Sequence, residues 1–198
     1  YDVVAVAGQA AKDRLRNALI VSDENKEVII GRPQLDLLQK PLEIVEGRKI
    51  LTYAPTWEGD QEANNYSSVD VYGEKIVAAM LKVPNSTVFY KPHPKVTTSP
   101  KSHMIKSHKA ILALLDNANS KDTNAKHRFV SGDPMPVLQV SDLLVSDVSA
   151  VTIDYLYLKP QGAMLMCDRL SNKDLFSQVA PVSKAVTNIT NLNIGNIE

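Results

Sequence analysis

The sequence predicts an α/β fold built on a doubly wound parallel sheet. Short β-branched runs alternate with amphipathic stretches along the chain, and most of the runs stop at a proline, glycine, serine or aspartate. Size agrees: 198 residues, 44% hydrophobic and 22% charged, suffice for one sizeable core.

In chain order the candidate strands are Val3–Ala7, Glu27–Ile30, Lys49–Tyr53, Thr87–Tyr90, Arg128–Val130, Leu143–Ser146 and Ala163–Met166. Each is a short aliphatic or aromatic run that suits a pleated, buried position. Between them lie candidate helices at Gln9–Leu19, Gln34–Leu38, Val71–Leu81, Lys101–Leu115, Pro134–Val140, Ala150–Leu158 and Asn172–Gln178. In Val71–Leu81 the residues Val71, Ile76, Val77, Met80 and Leu81 recur at roughly helical spacing, leaving Glu74, Lys75 and Lys82 for solvent. Thr56–Ser68 and Lys95–Lys101 read as loops, the first long and polar for a compact α/β domain. The Asn- and Thr-rich tail after Pro181 fits a helix or a strand equally.

Composition narrows the classes of function. With 22 basic and 22 acidic side chains the formal charge is zero, so no general nucleic-acid or membrane surface is expected. Cys167 is the only cysteine, which excludes an internal disulfide and a zinc site of several thiolates and favours a reducing, cytoplasmic setting. No segment approaches about eighteen uninterrupted apolar residues and no basic-then-apolar leader opens the chain. Because it starts at Tyr1 and runs at once into a strand-like VVAVAG, it reads as one domain, 1–198, of a longer protein.

Ligands of open α/β sheets bind outside the carboxyl ends of the strands, so the residues after each strand are the informative ones. Five such places stand out: GRP with Arg32, YAPTW with Thr56, KPHP with Lys91 and His93, SGDP with Asp133 and Pro134, and SDVSA with Ser146, Asp147, Ser149 and Ala150. In KPHP the prolines hold the histidine in extended geometry at a strand end, for a ligand or as a rigid surface turn. In SDVSA a strand passes straight into a helix whose first N–H groups favour an anion, and the same serines and aspartate could instead cap it. His103, His108 and His127 lack such a frame and read as surface residues; Cys167 reads as an inert core thiol. No G-x-G-x-x-G, G-K-[ST] or G-x-S-x-G pattern occurs, and no metal-ligand cluster is evident.

Taken in order, IIGRPQLDLL, ILTYAPTWEG, FYKPHP and VSDLLVSDVSAVTIDYLYLKP resemble the CDP-glycerol glycerophosphotransferases of teichoic-acid synthesis. The resemblance runs from the first strand to Asp168. It implies the C-terminal, Rossmann-like, nucleotide-binding half of a glycosyltransferase-B architecture. It also implies a CDP-glycerol or CDP-ribitol donor, a lipid-linked polyol-phosphate acceptor, a partner N-terminal domain and a full-length protein peripheral at the inner face of the membrane. His93 matches the histidine of the family's R-x-H-P motif, the catalytic candidate at the donor pyrophosphate, with Lys91 in place of its arginine. Ser149 matches the first serine of T-D-Y-S-S, while Val148 and Ala150 replace the tyrosine and second serine. Asp133, Pro134 and Met135, with Pro136 beside them, fall where the family approaches the nucleoside, and Asp154 and Lys159 match its helix aspartate and closing lysine. The family's H-G-x-x-x-x-K motif is absent, so the chain by itself is expected to bind donor without transferring. A diphosphate can bring its own Mg²⁺. A nucleotide-sugar transferase or epimerase half of the same fold, and a degenerate binding module, remain alternatives.

Overall fold

The computed structural model describes residues 2–20, 26–37 and 40–196. Contacts divide the chain into two compact units, Tyr1–Gln39 and Lys40–Glu198. In the first, β1 (Val4–Val6) and β2 (Glu27–Ile29) pair in parallel around α1 (Gln9–Asn17). The buried Glu27 carboxylate is held there by Arg16 at 2.7 Å and Lys12 at 3.7 Å. The expected helix at Gln34–Leu38 is a 3₁₀ turn over Pro33–Leu35, with Leu38 itself outside the described residues.

The second unit carries a six-stranded, all-parallel sheet in the order β5-β4-β3-β6-β7-β8. Its strands are β3 (Lys49–Ala54), β4 (Ser86–Tyr90), β5 (Arg128–Phe129), β6 (Leu143–Ser146), β7 (Ala163–Cys167) and β8 (Thr187–Ile189). Winding proceeds outward from β3 to β5, returns beside β3 at β6, and proceeds outward again. That is the Rossmann order, with its switch point between β3 and β6. The helices are α2 (Glu74–Lys82), α3 (Pro94–Thr97), α4 (Ser102–Lys121), α5 (Met135–Val140), α6 (Ala150–Leu158) and α7 (Lys173–Val179).

Alternation along the strands explains why both faces are covered. Leu51, Tyr53, Val88 and Tyr90 join one core cluster with Ile76 and Ile111 of α2 and α4, whereas Ile50 and Phe89 join another with Val137 of α5. Each fully buried large side chain contributes roughly 1.5–3 kcal/mol of burial free energy. The Tyr53 and Tyr90 rings stack with centroids 5.7 Å apart in the middle of the sheet.

Several elements depart from the sequence reading. Helix α2 is preceded by a π-helical turn, Val69–Gly73. A short helix, α3, occupies the start of the expected loop Lys95–Lys101, because Pro94 takes the N1 position and His93 caps it. Helix α4 runs on to Lys121, and the tail forms β8, whose Ile189 pairs with Cys167 of β7. His108 and His127 are buried, which corrects their placement at the surface. His108 Nδ1 lies 3.2 Å from the Tyr90 hydroxyl, and His127 Nδ1 accepts the Val88 N–H at 2.9 Å. No helix among the described residues is long and apolar enough to cross a membrane.

Candidate functional site

The switch point brings together the exits of β4, β3 and β6, where Lys91, Thr56 and Asp147 follow their strands. These exits are tied to one another. The Lys91 N–H donates to the Tyr53 carbonyl and the His93 N–H to the Pro55 carbonyl, both at 2.8–2.9 Å. The Ser146 hydroxyl donates to the Ala54 carbonyl at 2.7 Å.

Lys91 is 6% exposed, and among the described residues its ammonium has one long bond, 3.4 Å to the Pro92 carbonyl, and no carboxylate in ion-pairing distance. Burial lowers its pKa, and the more distant Asp133 carboxylate opposes that shift. A buried ammonium so poorly matched is costly unless a counter-charge joins it. His93 is half-buried, its Nδ1 accepts the Lys95 N–H at 3.2 Å, and its ring stacks on Trp57 with centroids 6.0 Å apart. Accepting at Nδ1 places the proton of the neutral ring on Nε2, a donor for a ligand oxygen. Burial, then the charges of Lys91 and Lys95, push the imidazole pKa down, so the neutral donor form is the one present at pH 7. Lys95 covers the Trp57 ring with its ammonium 3.5 Å from the centroid.

Across the crevice, Ser149 is the N-cap of α6 and its hydroxyl oxygen accepts the Val151 N–H at 3.3 Å, leaving the hydroxyl proton for another partner. Ala150 is exposed in the first turn beside it. Ser146 and Asp147, expected among the phosphate contacts, are both fully buried and commit their side chains to the protein. Asp147 Oδ2 accepts the Thr56 and Ser68 N–H groups at 2.9 and 3.1 Å, and Oδ1 accepts the Ser68 hydroxyl. Burial raises this carboxyl to about 7 against the pull of those hydrogen bonds.

Asp133 is exposed and accepts the Met135 N–H at 2.9 Å, Pro134 starts α5, and the Met135 side chain is buried in the core, so of these three only Asp133 and Pro134 present surface. Asp154 lies buried on α6. Arg32 belongs to the first unit, at the N-cap of its 3₁₀ turn.

The sequence reading missed Ser67, Ser68 and the Arg169–Asp70 pair. Arg169 Nη2 meets Asp70 at 3.0 Å and Nη1 donates to the Ser67 carbonyl at 2.7 Å, fixing the β7 exit to the turn before α2. A usable signal was the serine pair at the end of a polar loop, directly before an apolar helical stretch. An apolar groove of about 620 Å³ lies along α2 at the opposite end of the sheet, among Leu51, Ile76, Met80, Leu143 and Leu165. Its lining is mostly apolar, with Arg48, Lys49 and Asp142 its charged members, whereas the switch point places Lys91 and His93 after β4 and Ser149 after β6.

Solved structures agree with this fold. Alpha,alpha-trehalose 6-phosphate synthase from Burkholderia multivorans matches with TM-score 0.55 and 11% identity, over 100% of this chain and 49% of that one. A variant of the wall teichoic acid polymerase TagF matches with TM-score 0.51 and 19% identity, over 89% and 42%. The N-terminal domain of Candida albicans trehalose-6-phosphate phosphatase gives 0.51 and 12%, over 77% and 34%. The chain thus spans half or less of each of these proteins, and it shares with them a Rossmann-like, glycosyltransferase-B-type α/β fold. No curated protein matches it in sequence. Residues 2–163 match the sequence profile described as CDP-Glycerol:Poly(glycerophosphate) glycerophosphotransferase, and the chain belongs to that family.

Proposed function

We propose that this chain supplies donor binding in an enzyme of teichoic-acid-type polymer synthesis. The enzyme transfers glycerol phosphate or ribitol phosphate from its CDP-alditol to a lipid-linked polyol-phosphate acceptor at the inner face of the membrane. The carrying observation is Lys91: a buried ammonium with no carboxylate in ion-pairing distance among the described residues, next to a neutral His93, at the switch point of a sheet whose family handles CDP-glycerol. In that reaction an acceptor hydroxyl oxygen bonds to the β-phosphorus, the bond from that phosphorus to the bridging oxygen breaks, and CMP leaves with the electron pair. Charge builds on the leaving phosphate, where fixed donors count most. Lys91, the His93 Nε2–H and the start of α6 are the donors this chain offers. The proton of the acceptor hydroxyl goes to a base that this reading places outside the chain, so the isolated chain binds donor but releases no CMP.

Calorimetric titration with CDP-glycerol tests the assignment. Lys91→Met and His93→Ala should each weaken binding about ten- to a hundredfold, the range of a lost charge-assisted hydrogen bond. Wild-type affinity in both variants, with unchanged circular dichroism, would overturn it.

A further inference from the structure

Beneath the crevice lies a polar cluster that contacts no ligand in the reading above. Three hydrogen bonds reach the buried Asp147 carboxylate from the two ends of one loop, from Thr56 at its start and from the amide and hydroxyl of Ser68 at its finish, and the buried Cys167 thiol of β7 bonds the same group from the sheet side. The Ser67 hydroxyl closes the same loop onto the Thr56 carbonyl at 2.9 Å. Ser68 Oγ also lies 2.7 Å from the Tyr53 hydroxyl. Trp57, which carries the His93 ring, stands just inside the first anchor, and the His93 N–H is bonded to Pro55 just outside it. The anchoring of Thr56 and Ser68 therefore sets the His93 wall of the crevice.

We infer that Asp147 is a positioning residue that closes the Thr56–Ser68 loop at the crevice through a proton-linked clasp, an inference that rests on the crevice being the donor site. Hydrogen-bond directions give the clasp two states. With Asp147 ionised, the Tyr53 hydroxyl donates to Ser68 Oγ and Ser68 donates to Oδ1. With a proton on Oδ1, the acid donates to Ser68 Oγ, Ser68 donates to the Tyr53 oxygen, and Oδ2 still accepts both amides. Only the ionised state keeps a charge away from water, which opening of the loop relieves.

The titratable groups facing Asp147 are Tyr53 of β3, Tyr90 of β4 and Cys167 of β7; burial raises all three, so each is neutral through pH 7. Asp147 alone changes charge there, its closed-loop value of about 7 lying above the ordinary 3.8. A carboxyl that holds its proton more tightly when the loop is closed supports closure fully below about pH 4. That support is lost as pH rises, by about tenfold per unit, until it levels above about pH 7.

Amide hydrogen exchange of the 198-residue chain, read by NMR at Thr56 and Ser68 and corrected for the intrinsic rate, tests the clasp. In the wild type, protection should fall about a hundredfold between about pH 5 and 7 and then level. Asp147→Asn reproduces the neutral acid, with its carbonyl accepting and its amide donating to Ser68, so its protection should match the wild type's acid-side value at every pH. Ser68→Ala should lower protection about tenfold throughout. Wild-type protection that does not change over that range, or an Asn variant that keeps the wild-type slope, would overturn the proposal. The exchange readout needs no nucleotide, so a confirmed clasp in a chain that fails to bind CDP-glycerol would discard the donor reading and leave the clasp standing.

Discussion

The observed cap and the proposed ligand contact of His93 use different ring nitrogens, and substitutions can separate them. Nδ1 caps α3 by accepting the Lys95 N–H, while Nε2–H is the donor assigned to the ligand. His93→Asn puts an amide oxygen close to the Nδ1 position and keeps the cap, so it should melt within a degree or two of wild type yet bind CDP-glycerol about tenfold more weakly. Equal losses of melting temperature in His93→Asn and His93→Ala would show that the ring is structural only. Lys91 and His93 were legible because Pro92 and Pro94 mark a strand end by their own chemistry. For Ser68 the sequence marks a helix start but not its partner: Asp147 is 79 positions away, and nothing local distinguishes a serine that meets a buried carboxylate from one that caps a helix.

At the scale of elements, β3, β4, β6 and α6 follow from local pattern, since apolar runs bounded by turn residues decide them. Strand β8 does not. Thr187–Ile189 is too short and polar to declare itself, and it is a strand because β7 offers an edge for it to pair with. Helix α3 hid behind two prolines that read as a loop, although proline at N1 is a legitimate helix start. The approach of the π-helical turn before α2 to α4 rests on a missing side chain. A Cβ at Gly73 would come within 2.9 Å of Ile111 Cδ1 and 3.3 Å of the Tyr53 hydroxyl. Gly73→Ala should therefore cost about 1–3 kcal/mol by overpacking, read as a lower urea midpoint at constant slope. An unchanged midpoint would mean that α4 can yield there at no cost.

For the molecule as a whole, two buried groups give stability opposite slopes with pH. His127 accepts the Val88 N–H only when neutral, and burial followed by the charge of Arg48 lowers its pKa from the ordinary 6.5. Its contribution is present above 6.5 and lost as pH falls through the lower folded value. Asp147, with its raised value, loses its contribution as pH rises instead. His127→Asn, which keeps an acceptor without a titration, should thus gain stability relative to wild type as pH drops from 7 to 5, measured by thermal melts. A constant difference between the two proteins would remove His127 from the acid limb. The sheet order that makes a switch point between β3 and β6 could be expected from the alternation of strands and helices, whereas the separate pairing of β1 with β2 could not, because pairing partners are chosen in space. We propose that this switch point receives a cytidine diphosphate donor. Its most direct measurement is calorimetric titration of the chain with CDP-glycerol, set against UDP-glucose under the same conditions. Saturable binding of CDP-glycerol at least about tenfold tighter than of UDP-glucose, a difference of about 1.4 kcal/mol, is expected of a cytidine diphosphate site; equal or tighter binding of UDP-glucose would rule that site out.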